Sequence, residues 1–103
     1  MSITEGTEYS DTLGDSYAAG TISVSTTQVE AKVGASRSPT RETLRIYNNS
    51  NVTIYFGPSG VTSLIGEPIF KNQWVNIPVN GNLAVFLITA TGTAADVRIQ
   101  EIG

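Results

Sequence analysis

The stretch from Glu42 to Gly57, ETLRIYNNSNVTIYFG, constrains the fold more than any other, because it places alternating β-branched and aromatic residues on either side of a polar turn. Alternation with period 2 sends successive side chains to opposite faces of a strand, so the stretch predicts two strands. Joined as a hairpin with Leu44, Ile46, Ile54 and Phe56 on the buried face, the strands would pair 46 with 54 and 44 with 56. That register leaves Asn49, Ser50 and Asn51 as a three-residue connection in which an Asn takes the left-handed conformation. Arg45 and Tyr55 would then face each other on the opposite side.

The same period runs through the rest of the chain. Ile22 and Val24 alternate with Thr21, Ser23 and Ser25, and Val29, Ala31 and Val33 alternate with Gln28, Glu30 and Lys32. Residues 34–40 read as a loop bracketed by Gly34 and Pro39, with Arg37 and Arg41 making it the most basic neighbourhood. After Gly57 comes a glycine-punctuated loop that Val61, Leu64 and Ile65 would anchor onto the end of the domain; it lacks the Gly-Lys-Ser/Thr of a phosphate cradle. Residues 68–70 form a short edge strand, 71–73 a turn, and 74–79 a strand that Pro78 confines to an edge. Asn80-Gly81 is the strongest short turn signal and predicts a type I′ hairpin with Val75, Ile77, Ala84 and Phe86 on one face. Leu83, Val85 and Leu87 then fall on the other face, covered either by the same domain or by another chain. The last strand, 96–102, points Val97 and Ile99 inward and Asp96, Arg98 and Gln100 outward.

Seven or eight short strands with regular turn signals and no helical pattern predict an all-β antiparallel sandwich, jelly-roll-like, over residues 21–103. Residues 1–20 read as an extended N-terminal arm. They carry Glu5, Glu8, Asp11 and Asp15 with no Lys or Arg, and Tyr9, Leu13 and Tyr17 recur every fourth residue, in either a frayed terminus or a segment that these three anchor on a neighbouring subunit. That spacing also fits one helical face, against which Gly14 and Gly20 count.

Of the 103 residues none is Cys or His, which removes disulfides, the usual zinc sites and every Ser-His or Cys-His nucleophile. The first twenty residues carry −4 and the remainder, with six bases against five acids in no basic stripe, carries +1, for a net charge of −3. Nucleic acid is therefore not an expected partner. The longest apolar run, residues 83–88, is far short of the ~20 residues that cross a bilayer, so no membrane contact is expected. The carboxylates outside the arm, Glu30, Glu42, Glu67, Asp96 and Glu101, are expected at solvated positions in no metal-binding pattern. The expectation is a non-enzyme with no cofactor, no metal and no catalytic residue.

The runs from Ile22 to Arg37, Arg41 to Ser50 and Val52 to Val61 resemble small β-proteins encoded in the structural regions of tailed-phage genomes. The likeness covers roughly residues 21–101. It implies a virion component assembled in the host cytoplasm: a capsid decoration or cementing protein that binds the major capsid protein or another virion protein and self-associates. Contacts would fall to Tyr9, Leu13, Tyr17, Arg37, Arg41, Leu83, Val85 and Leu87. The alternatives are a receptor- or carbohydrate-binding module of a tail fibre, stacking sugars on Tyr55 and Trp74, and a neck or tail-completion ring protein.

Overall fold

The computed structural model describes residues 16–103. It contains eight strands: β1 (Tyr17–Val24), β2 (Val29–Glu30), β3 (Thr43–Asn48), β4 (Ile54–Gly57), β5 (Glu67–Ile69), β6 (Trp74–Ile77), β7 (Phe86–Thr89) and β8 (Ala95–Ile102). They form two four-stranded sheets, β1-β8-β3-β6 (sheet 1) and β2-β7-β4-β5 (sheet 2). All pairings are antiparallel.

One rule generates this order. β1 pairs with β8, β2 with β7, β3 with β6 and β4 with β5. The chain is a long antiparallel ribbon, doubled back between β4 and β5 and rolled so that successive rungs alternate between sheets. Pairing of β3 with β8 and of β4 with β7 then completes each sheet. This is the jelly-roll form of the β-sandwich, and the expectation of an antiparallel all-β sandwich holds.

The alternating side chains fill the space between the sheets as expected. Leu44 and Ile46 of β3, Ile54 of β4, Leu87 of β7, and Val97 and Ile99 of β8 are fully buried. Pro68 and Pro78 sit in or beside the edge strands β5 and β6, where a missing amide breaks no ladder.

Both expected hairpins are absent, for a shared reason: the chain changes sheets at each of those turns. Ile46 pairs with Val75 and Ile99, while Ile54 pairs with Ile69 and Thr89 in the opposite sheet. Arg45 likewise lies beside Asn76 and Gln100, not Tyr55. The left-handed Asn is Asn72 (φ 60°), in the turn between β5 and β6, where its amide donates to the Asn48 carbonyl at 2.8 Å.

At Asn80-Gly81 the chain also crosses between sheets, and Gly81 lacks the positive φ that a type I′ turn needs. Glycine is required there for close approach instead, since a Cβ would lie 2.5 Å from the Ser38 carbonyl oxygen. Asn80 Oδ1 accepts the Asn82 amide at 2.8 Å, an Asx turn at the start of the crossing.

Freed from the hairpin, β7 reverses its expected facing. Val85 and Leu87 point into the core at 7% and 0% exposure, whereas Phe86 and Ile88 are half-buried on the outer side. Leu83 remains exposed at 61%. Leu83→Asp is accordingly expected to shift unfolding free energy by no more than about 0.5 kcal/mol in a urea titration, as exposed sites do.

β1 begins inside the expected arm: Tyr17 pairs with Ile102, and the register continues to Val24 and Ala95. Ala18, Ala19 and Gly20 have little strand preference of their own, and the partner strand β8 supplies the pairing. Val61 anchors the loop after β4 as expected, but Leu64 and Ile65 are exposed at 93% and 70%.

Candidate binding face

The outer side of sheet 1 gathers side chains from four strands. Register places Thr21, Arg98, Tyr47 and Trp74 in one transverse row, and Ala19, Gln100, Arg45 and Asn76 in the next. All have the parity opposite to the core residues of their strands, so they face away from the sandwich interior. Ala19 and the bare backbone of Gly20 make one side low, and Trp74 makes the other tall. Between them lies an open groove of about 720 Å³.

Trp74 is half exposed, and the Arg45 guanidinium stacks over its ring with Cζ 3.5 Å from the centroid. Stacking holds the planar guanidinium in one orientation while leaving its N–H edges available for an anion. Arg98 reaches Asp96 at 3.5 Å, with both side chains about half exposed, a contact of little energetic weight. Asp96 also accepts a hydrogen bond from Asn49 Nδ2 at 2.8 Å. Gln100 Oε1, on the groove floor, is a buried acceptor with no partner among the described residues. The arrangement can bind a carboxylate-bearing or aromatic group by charge, hydrogen bonding and ring contact.

The residues expected to make contacts are dispersed. Tyr9 and Leu13 lie outside the described residues, and Tyr17 opens β1, 45% exposed. Val85 and Leu87 belong to the core and cannot serve as a surface. Tyr55, on β4 of sheet 2, and Trp74, on β6 of sheet 1, do not form one stacking platform. Tyr47 is the tyrosine beside Trp74.

The two loop arginines are engaged internally. Arg37 donates from Nε to the Gly81 carbonyl at 2.9 Å and from Nη1 to Glu30 at 2.7 Å. Arg41 is 1% exposed. Its Nη1 donates to Glu101 Oε2 at 2.7 Å, its Nη2 to the Leu83 carbonyl at 2.7 Å, and its Nε to the Asn80 carbonyl at 3.2 Å. Glu101, expected on the surface, is 2% exposed and also accepts the amides of Val33 (3.3 Å) and Ser38 (3.1 Å). The reason is parity: position 101 shares the inward face of β8 with Val97 and Ile99.

Burial works against the charge on Glu30, but the hydrogen bond from Arg37 and the charges of Lys32 and Arg37 outweigh it and hold the carboxyl below its usual range. A folded value below the unfolded one gives stability that is present above the unfolded pKa, about 4.3 for Glu, and is lost as pH falls through the folded value. Glu30→Gln is therefore expected to lower the melting temperature at pH 7 and to narrow the difference between pH 7 and pH 3.

Sequence reasoning passed over Arg45, Tyr47, Arg98 and Gln100 as functional residues. Their outward parity was available, but their assembly depends on which strands pair. Together the fold and the face define an eight-stranded jelly roll with an open, arginine- and aromatic-lined groove on one sheet. Comparison with protein-family models, with curated proteins and with solved structures finds no match to this chain.

Proposed function

We propose that this chain is a structural, partner-binding protein of a tailed-phage virion: a decoration protein that docks on the assembled head through the outer face of sheet 1. The observation that carries the binding role is the row joining Tyr47, Trp74 and Arg98, with Arg45 stacked on the indole. Tyr, Trp and Arg are the residue types that concentrate at the energetic centres of protein interfaces. The resemblance over residues 21–101 supports the virion assignment. Jelly rolls also serve in viral capsids and in lectins, an analogy of architecture alone.

The partner in this reading is the major capsid protein or another virion protein, and the action is linkage. A protein that binds only the assembled shell stabilises it, by about 2.7 kcal/mol per site when present at a hundredfold excess over Kd. No bond is made or broken.

The test is gold labelling of intact particles from the source phage with antibody against the purified protein. Label spread over the head supports decoration, label confined to one vertex or the tail overturns it in favour of a neck or fibre protein, and unlabelled particles overturn the virion assignment. One observation favours a tail-fibre receptor module as the second reading: Trp74 and Tyr47 lie side by side on adjacent strands in the groove lining, an aromatic surface on which a sugar ring can stack. A glycan titration that saturably shifts the emission of Trp74, the only tryptophan, would support it.

A further inference from the structure

The cations of this chain are unequally committed. Lys32 and Arg37 are paired with Glu30, and Arg41 with Glu101. Arg45 and Lys71 make no ion pair among the described residues, and Arg98 has only its long contact with Asp96. Lys71 lies in the turn between β5 and β6, whereas Arg45 and Arg98 both line the groove, in which no lining residue is a carboxylate. They lie diagonally on adjacent strands, since Tyr47 is opposite Arg98 and Arg45 opposite Gln100, a separation of about 7–8 Å at the backbone.

The complementary charge is in the same sequence. Glu5, Glu8, Asp11 and Asp15 follow one another at intervals of three or four with no Lys or Arg between them, and Tyr9 and Leu13 are interspersed. In an extended segment, positions three apart are separated by about 10 Å, a span that two flexible arginine side chains bridge. Arg37 and Arg41, the cations that sequence alone would offer to such a segment, are already engaged inside the domain.

Resting on the reading of the outer face of sheet 1 as the docking face, we propose that its groove takes residues 5–15 of a second copy of this chain. Copies are thereby linked to one another on the shell, while the rest of the face meets the shell itself. The carboxylates of that segment meet Arg45 and Arg98, and Tyr9 and Leu13 lie against Trp74 and Tyr47. A second copy fits better than the chain's own segment because of direction. Ser16 is fixed to Gly103 by hydrogen bonds in both directions (2.6 and 2.9 Å), at the end of β1 where Tyr17 pairs with Ile102. At Ser16 and Tyr17 the strand direction points out past that end of the sheet, away from the Thr21–Arg98–Tyr47–Trp74 row, so a segment of the same copy would have to reverse direction to enter the groove. Copies linked groove to segment would form a head-to-tail series, which closes into a ring or extends over a shell.

The test is sedimentation velocity of the full chain across a concentration series at low and high salt. It compares Arg45→Gln/Arg98→Gln, Glu5→Gln/Glu8→Gln/Asp11→Asn/Asp15→Asn, and the two sets combined. Concentration-dependent association is expected, weakened by salt, because exposed charges are screened beyond about 8 Å at 0.15 M. Each set should weaken it at least about tenfold, and the combination no further than either alone, because both remove one contact. Unchanged melting temperatures keep loss of folding from imitating loss of docking.

A chain that stays monomeric at every concentration, or whose association ignores the arginine set, overturns the proposal. So does an undiminished effect of the acidic set in the arginine variant, which would put the segment elsewhere. Saturable quenching of Trp74 by polygalacturonate without self-association would give the groove to an acidic saccharide and likewise overturn it. Failure here is separable from failure of the virion reading: a monomer that still labels phage heads removes only this inference, whereas a self-associating chain absent from particles removes only the virion assignment.

Discussion

Arg41→Ala is expected to cost about 3–5 kcal/mol of unfolding free energy, the usual price of leaving one member of a buried ion pair without its partner. The substitution strands the Glu101 carboxylate at 2% exposure with only the Val33 and Ser38 amides as donors. It also removes the donors to the carbonyls of Asn80 and Leu83. Those carbonyls belong to the crossing between β6 and β7, while Val33 and Ser38 belong to the loop between β2 and β3. One guanidinium and one carboxylate thus fasten both crossings to β8, whose opposite side carries Arg98 and Gln100 into the groove.

Replacing both partners, as Arg41→Met/Glu101→Leu, should cost clearly less than the sum of the single changes, since no charge is left buried. Urea titration with an unchanged m-value checks both statements. Equal losses for the double variant and the sum would show that the two side chains act independently.

Asn48→Leu is expected to cost about 2–4 kcal/mol, because each buried polar group left without its hydrogen bond costs about 1–3 kcal/mol. Asn48 is fully buried at the inward end of β3. Its Nδ2 donates to the carbonyls of Val52 (2.8 Å) and Ile69 (2.9 Å), and its Oδ1 accepts the Ser50 hydroxyl at 2.6 Å. Ile69 lies on β5 of the opposite sheet, so this amide ties the two sheets where the chain passes between them. Leucine fills nearly the same space and satisfies none of these atoms. Asn48→Asp, which removes the donor and sets a charge against two carbonyls, should be worse at pH 7. The same denaturant titration reads both, and an Asn48→Leu variant within 0.5 kcal/mol of the parent, about the scatter of exposed sites, would show that the network carries no weight.

Asn48 also shows where the sequence could be read and where it could not. Its neighbours Leu44 and Ile46 reveal the facing of β3, because alternation is a property of one strand. The same local pattern gives Val75 with Ile77, and Val97 with Ile99. Pairing is a property of two strands, and in a rolled ribbon most partners are far apart in the sequence, β1 with β8 at the extreme. Asn48-Asn49-Ser50-Asn51 and Asn80-Gly81 carry the chemistry of tight turns, but here that chemistry serves crossings between sheets, through side-chain hydrogen bonds to the backbone.

Glu101 was misplaced for a different reason. The period of β8 points it inward, and the general preference of carboxylates for water argued the opposite. Arg41 resolves the conflict, and that contact spans the length from one loop to the last strand. The groove follows the same pattern: each of Arg45, Tyr47, Trp74 and Arg98 is legible as outward, and only the order β1-β8-β3-β6 makes them neighbours.

The proposed docking role puts the working surface of this protein on the outer face of sheet 1. The most direct measurement is co-sedimentation of the Arg45→Glu/Arg98→Glu variant with phage heads, beside the parent chain and Leu83→Asp. If that face docks on the head, the arginine variant melts near the parent temperature yet remains in the supernatant, while the parent and Leu83→Asp pellet with the heads. An arginine variant that is folded and still pellets like the parent would contradict it.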